Sequence, residues 1–487
     1  MVDFADRPAP ELPSVIQGGM GVAVSGWALA RAVARLGQLG VVSGTALETV
    51  HARRLGDGDP SGHLRRAYAS FPEPALARRV LHRWFIDGGR PRGEAYRAVP
   101  MFRLESPRAL RELTILANFA EVHLAKSGHD GPIGINYLEK IQMPTPDSLY
   151  GALLAGVDYV FMGAGIPSDV PRLLDDLARG EQVAYRVGVT GAGPHDAHAV
   201  RFDPADFLGH PARVARPRFV AIVSSNTLAS FLAKDPATRP DGFVVEHYRA
   251  GGHNAPPRGP LVLDELGQPT YGTRDEVDLD QIAALGLPFW LAGGVASPAR
   301  LAEARAAGAA GIQVGTAFAL CVESGLAPGL RNRVLAAARG GGAGVVTDPR
   351  ASPSGYPFKV VTLPGTLSEP AVYAGRERRC DVGLLRTPFV RADGGIGYRC
   401  PSEPVGAYMR KGGKPEDTVG RTCLCNALLA SAGLAQLRDS GCEPPIVTSG
   451  DDLARLVGAI GTRDTWTAAD VVAYLLADAS TPGTSTG

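Results

Sequence analysis

The chain has almost no surplus of charge: 50 lysines and arginines stand against 49 aspartates and glutamates, a net of +1. A nucleic-acid groove or a membrane-binding basic face needs clustered positive charge, so neither partner is expected. Long apolar runs are missing too. No stretch approaches the ~20 residues that a membrane-spanning helix requires. Asp3, Asp6 and Pro8 stand where a secretory leader would be basic and then apolar. Cysteine is sparse, 6 in 487 residues, which excludes a disulfide scaffold. Glycine (61) and proline (39) are frequent but short of low-complexity levels. Apolar residues make up 45% of the chain, enough to bury a large core. The expectation is a soluble, cytoplasmic α/β protein.

Eight short apolar runs, each ending in a glycine or a turn signal, fall at 14–17, 40–43, 132–137, 158–162, 218–224, 242–247, 289–292 and 311–315. Stretches of helical period lie between them at 25–36, 147–155, 170–178 and 297–307. The runs are continuous rather than alternating, which suits a parallel sheet covered on both faces. Eight βα repeats predict a (β/α)8 TIM barrel over 1–345, although a doubly wound open sheet has the same local signals. Residues 51–130, after the second strand, are too long for a connector and read as a helical insertion over the barrel mouth. Residues 183–202 read as an extra strand pair. Residues 346–478 read as a C-terminal extension with a small Cys-containing module that ends in a helix at 468–477. Residues 479–487, nearly all Ser, Thr, Pro and Gly, are expected to be a disordered tail.

The residues with chemical potential sit where strands end, the place where barrels build active sites. Gln17, Gly18, Gly19, Met20 and Gly21 follow the first strand, where glycines let backbone approach a ligand; the plain alternative is a strand-to-helix turn. Gly293 and Gly294 follow the seventh strand, and Gly315 and Thr316 the eighth. Each turn opens a helix, so two sets of amide N–H groups converge on what is usually a phosphate cradle. After the sixth strand, Gly251 and Gly252 precede His253, whose near-neutral pKa suits proton abstraction. Glu246, His247 and His253 could be a metal trio, but their spacing matches no standard site, and His247 is better read as a core histidine. Asn136 is a polar residue in an apolar run, suited to hydrogen-bond a cofactor or neighbouring backbone. Gly163 marks another close backbone approach.

In this order, IQGGMG, GINYL, the GGH after the sixth strand, LAGGV and QVGTAF resemble the nitronate monooxygenase (2-nitropropane dioxygenase-like) flavoprotein family over about residues 10–365. The resemblance implies a TIM barrel with non-covalent FMN at its C-terminal face and His253 as catalytic base. It implies that Gly293, Gly294, Gly315 and Thr316 hold the FMN phosphate, and that Gln17, Gly18, Met20 and Asn136 hold the ring and ribityl chain. Gly19, Gly163, Gly251 and Gly252 are counted with them as backbone contacts. The same family includes flavin-dependent enoyl-acyl carrier protein reductases, some acting in trans for polyketide and fatty acid synthases. The barrel motifs do not separate these chemistries. The insertion and the C-terminal module depart from the simpler members and suggest a bulkier substrate or a protein partner.

Five of the six cysteines lie after residue 379. Cys380, Cys400, Cys423 and Cys425 form a candidate four-thiolate set for zinc or an iron–sulfur cluster, against the alternative of independent structural thiols. Cys321 reads as a buried small apolar residue. The reading taken first is FMN-dependent oxidation of a nitroalkane or nitronate with dioxygen. The alternative is an enoyl reductase that draws hydride from NAD(P)H and acts on a carrier-bound acyl chain. A third possibility is a barrel kept as a partner-binding subunit, and a homodimer or a biosynthetic complex is the assembly expected.

Overall fold

Each of the eight apolar runs forms a strand: β1 Val15–Gln17, β2 Leu39–Ser43, β3 Ile133–Leu138, β4 Tyr159–Gly163, β5 Arg218–Val223, β6 Gly242–Glu246, β7 Phe289–Ala292 and β8 Gly311–Val314. The computed structural model describes residues 12–193, 195–209, 213–460 and 464–478; the tail expected at 479–487 lies outside them. The strands pair in parallel and close on themselves, each beside its neighbours in sequence, with β8 returning to β1. This is the (β/α)8 barrel, and the open-sheet alternative is excluded.

Successive residues of a strand face opposite sides. Ile16, Val41, Phe161, Val220, Val244 and Trp290 pack into one cluster that fills the barrel. Their neighbours Val15, Val42, Val160, Phe219, Val245 and Phe289 face the helices. Burial on both sides is why the strands read as unbroken apolar runs. Trp290 also donates its indole N–H to the Pro13 carbonyl at 2.7 Å, tying β7 to the segment before β1. Gly40 lets helix Trp27–Ala34 rest on β2, since a Cβ there would lie 1.9 Å from the Ala30 oxygen.

The insertion is helical, and its Phe102 and Leu110 pack with Leu384, Leu385 and Leu424 of the C-terminal stretch. Its longest helix, Arg108–Lys126, packs between Trp27–Ala34 and Thr145–Leu154 and is therefore the ring helix between β2 and β3. Helices Leu47–Gly56, His63–Ala69 and Pro74–Trp84 pack against it. Its buried residues, among them Leu113, Ile115, Leu116, Phe119, Val122 and Leu124, point to every side. A helix apolar all round has to be sandwiched. Glu121 pins the layers: it accepts from the Trp27 amide at 2.8 Å, from Arg54 at 2.9 Å and from His51 at 3.1 Å, and His51 in turn meets the Tyr68 hydroxyl. Burial alone would raise the Glu121 pKa, but His51 and Arg54 bring it below the ordinary value. No residue of 51–130 lines the central cavity.

The extra strand pair is present, Val183–Arg186 antiparallel to Ala199–Phe202. Beyond β8 come helices Thr316–Ala319 and Pro328–Arg339, then the antiparallel pair Val345–Asp348 and Phe358–Val361. Next are the pair Thr387–Val390 and Ile396–Arg399, then helices Leu424–Ser431, Leu453–Ile460 and Ala468–Leu475. The last helix packs against Trp27–Ala34 and Pro298–Ala306, so the chain's final helix takes a place in the barrel's ring. Trp466 fixes it by donating to the Ala317 carbonyl at 2.9 Å. The long excursion between β8 and this helix forms a second apolar core over the C-terminal face, where Phe358, Leu384, Leu385, Leu424 and Ile446 meet Val22, Ala46 and Met143 from the barrel side. Among the described residues no helix is long and apolar enough to cross a membrane.

Candidate active site

The C-terminal ends of the strands and this second core enclose a cavity of about 510 Å³, within the ordinary range for ligand sites. Gly18, Gly19 and Met20 after β1, Asn136 on β3 and Gly163 on β4 line it. So do Gly251, Gly252 and His253 after β6, Gly293 and Gly294 after β7, and Gly315 and Thr316 after β8. Gln17 is the exception. On β1, Ile16 faces the barrel interior, so Gln17 faces outward. Its amide is fully buried, accepting from the Val41 amide at 3.1 Å and donating to Ser25 at 2.9 Å. Ser25 in turn bonds the Gly18 carbonyl at 3.0 Å and the Met20 amide at 2.9 Å. Gln17 therefore shapes the glycine turn from behind and does not touch the cavity.

The polar end of the cavity is built for an anion and a flat ring. Gly293 (φ 91°) and Gly294 (φ 75°) adopt backbone conformations that favour glycine, and a Cβ on Gly293 would lie 2.7 Å from the His247 oxygen. A Cβ on Gly19 would lie 2.4 Å from Asn136. Asn136 donates to the Gly19 carbonyl at 3.1 Å, while its Oδ1 is buried with no partner. A buried acceptor left open in this way calls for a donor on a ligand.

Inward-facing positions at the strand ends carry two more polar side chains: Glu246 on β6 and Gln313 on β8 also line the cavity. Burial pushes the Glu246 carboxyl up to about 7. Polar residues at inward parity in apolar strands are the signal that marked Asn136, and it would have marked these two as well. Asn254 lines the cavity too; it is almost fully buried, with Oδ1 unpartnered. Most distant in sequence are Thr448, Ser449 and Gly450. The Thr448 hydroxyl accepts from the Gly252 amide at 2.7 Å, and the Gly450 amide donates to the Thr316 hydroxyl at 2.9 Å. The C-terminal stretch thus completes the glycine cradle.

His253 is held from two sides. Strand Phe358–Val361 runs beside its loop: the Lys359 amide donates to the Gly252 carbonyl, and the Asn254 amide to Pro357, both at 2.9 Å. Its ring meets Phe358 edge-to-face, and Nε2 lies 2.7 Å from the Ser352 hydroxyl. Burial pushes the imidazole down to about 4, so it is neutral at neutral pH. His247 is not a core residue: it lies partly exposed, 3.3 Å from Glu276 on the surface, and shares no metal site with Glu246 or His253. Because the folded His253 pKa lies below the ordinary value of ~6.5, the unfolded chain takes up a proton that the folded chain refuses. The stability this group contributes is complete above about pH 6.5 and is lost as the pH falls through about 4. Denaturant unfolding near pH 7 and near pH 4.5 is expected to show a smaller drop for His253→Asn than for the wild type. Equal drops would contradict the buried neutral ring.

Much of the remaining lining is apolar, with Val24, Leu320 and Leu326 from the barrel and Leu385, Leu428 and Leu456 from the C-terminal stretch. Cys425 lines the cavity as well. The four cysteines considered from the sequence for zinc or an iron–sulfur cluster lie near one another, Cys380 against Cys400 and both Cys423 and Cys425 close enough to feel the charge of Cys380, although among the described residues no group of three or more Cys, His, Asp or Glu is arranged to hold a metal. Cys423 caps helix Leu424–Ser431 and Cys425 sits in its first turn. Burial pushes the Cys423 thiol up to about 11 and Cys425 further. Cys380 and Cys400 hydrogen-bond each other. Cys321 is buried, as expected.

Residues 208–341, which carry β5 to β8 and their glycine turns, match the family model described as nitronate monooxygenase. This is the oxidoreductase family that the motifs resemble. No curated protein is similar to this chain in sequence at a significant level. Among solved structures, the chain is similar to the enoyl reductase domain of MlnA from the macrolactin biosynthesis cluster of Bacillus amyloliquefaciens (11% identity, 95% of this chain and 93% of that one, TM-score 0.50). It is also similar to FabK from Thermotoga maritima (15%, 96% and 92%, TM-score 0.47) and to nitroalkane oxidase from Streptomyces ansochromogenes (16%, 95% and 94%, TM-score 0.42). At these identities the likeness is one of fold.

Proposed function

We propose that this chain is an FMN-dependent oxidoreductase that reduces an α,β-unsaturated acyl chain carried as a thioester on a carrier protein, with NAD(P)H as the source of hydride. The observation that carries this reading is the apolar share of the cavity lining, to which the C-terminal stretch contributes Leu385, Leu428 and Leu456. An apolar lining recognises a hydrocarbon chain through burial alone, at about 0.8 kcal/mol per methylene. A nitroalkane of a few atoms would leave most of that lining uncovered.

The residues at the polar end fit a flavin nucleotide. Gly293, Gly294, Gly315 and Thr316 would hold its phosphate on backbone N–H groups. Gly18, Gly19, Met20 and the open Asn136 Oδ1 would meet its ring. Bound FMN supplies hydride transfer between the nicotinamide and the substrate carbon. His253 would hold the proton that completes the reduction, and the apolar core above excludes water.

A second reading, oxidation of a nitronate with dioxygen, is favoured by the name of the matched family model, with His253 in the unprotonated state that a base needs. The FMN-loaded protein, mixed anaerobically with NADPH or NADH, separates the two. Bleaching of the flavin bands within seconds is the outcome expected of the reductase. Bands that persist with both nicotinamides and bleach with ethyl nitronate would overturn it in favour of the oxidation.

A further inference from the structure

His253 poses a problem for the reductase reading, because a ring that is neutral at neutral pH is a poor source of a net proton. Such a ring can still deliver one if its other nitrogen is refilled in the same event. The Nε2 side of the ring has such a supply. Nε2 lies 2.7 Å from the Ser352 hydroxyl, and that hydroxyl lies 2.7 Å from the Ser354 hydroxyl. Ser352 is fully buried, while Ser354 reaches the partly exposed turn that follows. The Ser354 amide also donates to the Ser352 oxygen at 3.2 Å, and the Thr422 amide donates to the Ala351 carbonyl at 2.8 Å, so the turn is fixed at both ends. A serine hydroxyl donates and accepts at once, so the two can pass a proton without changing their own charge. The ring lines the cavity, and its Nδ1 has no hydrogen-bond partner among the described residues.

We propose that Ser352 and Ser354 are positioning residues that set the tautomer of His253 and relay a solvent proton to it from the protein's outer turn. This rests on the reductase reading. Hydride addition at the β carbon leaves an electron pair at the α carbon of the thioester. The Nδ1–H bond breaks as the α C–H bond forms. The Ser352 O–H bond breaks as Nε2–H forms, the Ser354 O–H bond breaks as that of Ser352 re-forms, and water reprotonates Ser354. One solvent proton is consumed per chain reduced. The ring ends in the opposite tautomer and resets by exchange with water once product has left. Both serines lie beyond residues 208–341, so this chain's own C-terminal stretch supplies the relay.

Two measurements test it. In protein labelled with 15N-histidine, with the His253 signals assigned by their loss in His253→Asn, the ring is expected at neutral pH as the Nδ1–H tautomer. Ser352→Ala is expected to shift the population towards Nε2–H. A wild-type ring already in the Nε2–H tautomer overturns the relay, whatever the substrate. In the second measurement, FMN-loaded protein is reduced with dithionite and mixed anaerobically with crotonyl-pantetheine. Ser352→Ala is expected to slow flavin reoxidation by at least about tenfold, less than the ~10²–10⁴-fold of a lost acid–base group because Ser352 acts through His253. It is also expected to straighten a proton inventory that is curved in the wild type. Ser352→Thr, which keeps the hydroxyl, restores both, and Ser354→Ala slows the reaction less than Ser352→Ala. An unchanged rate and inventory in Ser352→Ala overturn the relay and leave the reductase reading standing. A wild type that never reacts overturns the reductase reading, and the tautomer then decides the relay.

Discussion

Gly293→Ala is expected to leave the protein folded and nearly free of flavin. At φ 91° a non-glycine residue is strained, and the added Cβ would lie 2.7 Å from the His247 carbonyl oxygen and 3.0 Å from the Ala250 amide. Left-handed backbone costs an L residue about 1–2 kcal/mol, and contact with two backbone atoms leaves no flexible side chain to yield. The turn relieves the strain by moving off the position from which its N–H would hold the phosphate. A loss of about 3 kcal/mol in binding is a fall of about 100-fold in affinity. Gly294→Ala is the internal comparison. Its φ of 75° is also strained, but its Cβ would meet only the Arg249 side chain, at 3.4 Å, which can swing away. About tenfold weaker binding is expected there, from the backbone strain alone. Fluorescence titration of each variant with FMN checks both. A Gly293→Ala protein that binds FMN as tightly as the wild type would contradict the assignment of this turn.

Leu428→Trp is expected to abolish turnover of long acyl chains and to spare short ones. Leu428 lies on helix Leu424–Ser431 and belongs to the apolar lining that the C-terminal stretch supplies. An indole there is expected to take up space that the distal methylenes would occupy. In the wild type, kcat/KM is expected to rise about fourfold for each methylene added between crotonyl and octenoyl thioesters, the equivalent of ~0.8 kcal/mol apiece. Losing four such groups in the variant amounts to about 3 kcal/mol, a drop of ~200-fold for octenoyl-pantetheine. Crotonyl turnover and reduction by NADPH stay as in the wild type. A wild-type series that is flat with chain length, or a variant that loses all substrates equally, would remove the apolar lining from the account.

The barrel was legible because parallel strands buried on both faces have to be apolar throughout, and GFVVE and FWLA carry that property openly. The glycine turns after β7 and β8 and the lone Asn136 were legible for a related reason: polar or side-chain-free positions in such a setting need a purpose. Gln17 was misread because adjacency to a glycine turn says nothing about strand parity; Ile16, one residue earlier, holds the inward position. Glu246 and Gln313 carried the same mark as Asn136, and only the alternation of side-chain direction was needed to find them. The Ser352 and Thr448 contacts were out of reach. They join loops about 100 and 196 residues apart, and no local pattern encodes a hydroxyl that becomes useful only when the chain folds back over the barrel. The insertion was legible in part: the all-round apolarity of Arg108–Lys126 puts that helix inside the wall, while Phe102 joins the core of the C-terminal stretch, a contact no local pattern encodes.

The most direct test of the reductase reading is a single anaerobic reaction. The FMN-loaded protein is reduced with one equivalent of dithionite, and 2-octenoyl-pantetheine is added in the absence of oxygen. The oxidised flavin spectrum is expected to return within seconds, with one equivalent of saturated octanoyl thioester formed. A flavin that stays reduced until air is admitted, with the thioester recovered unchanged, would contradict it.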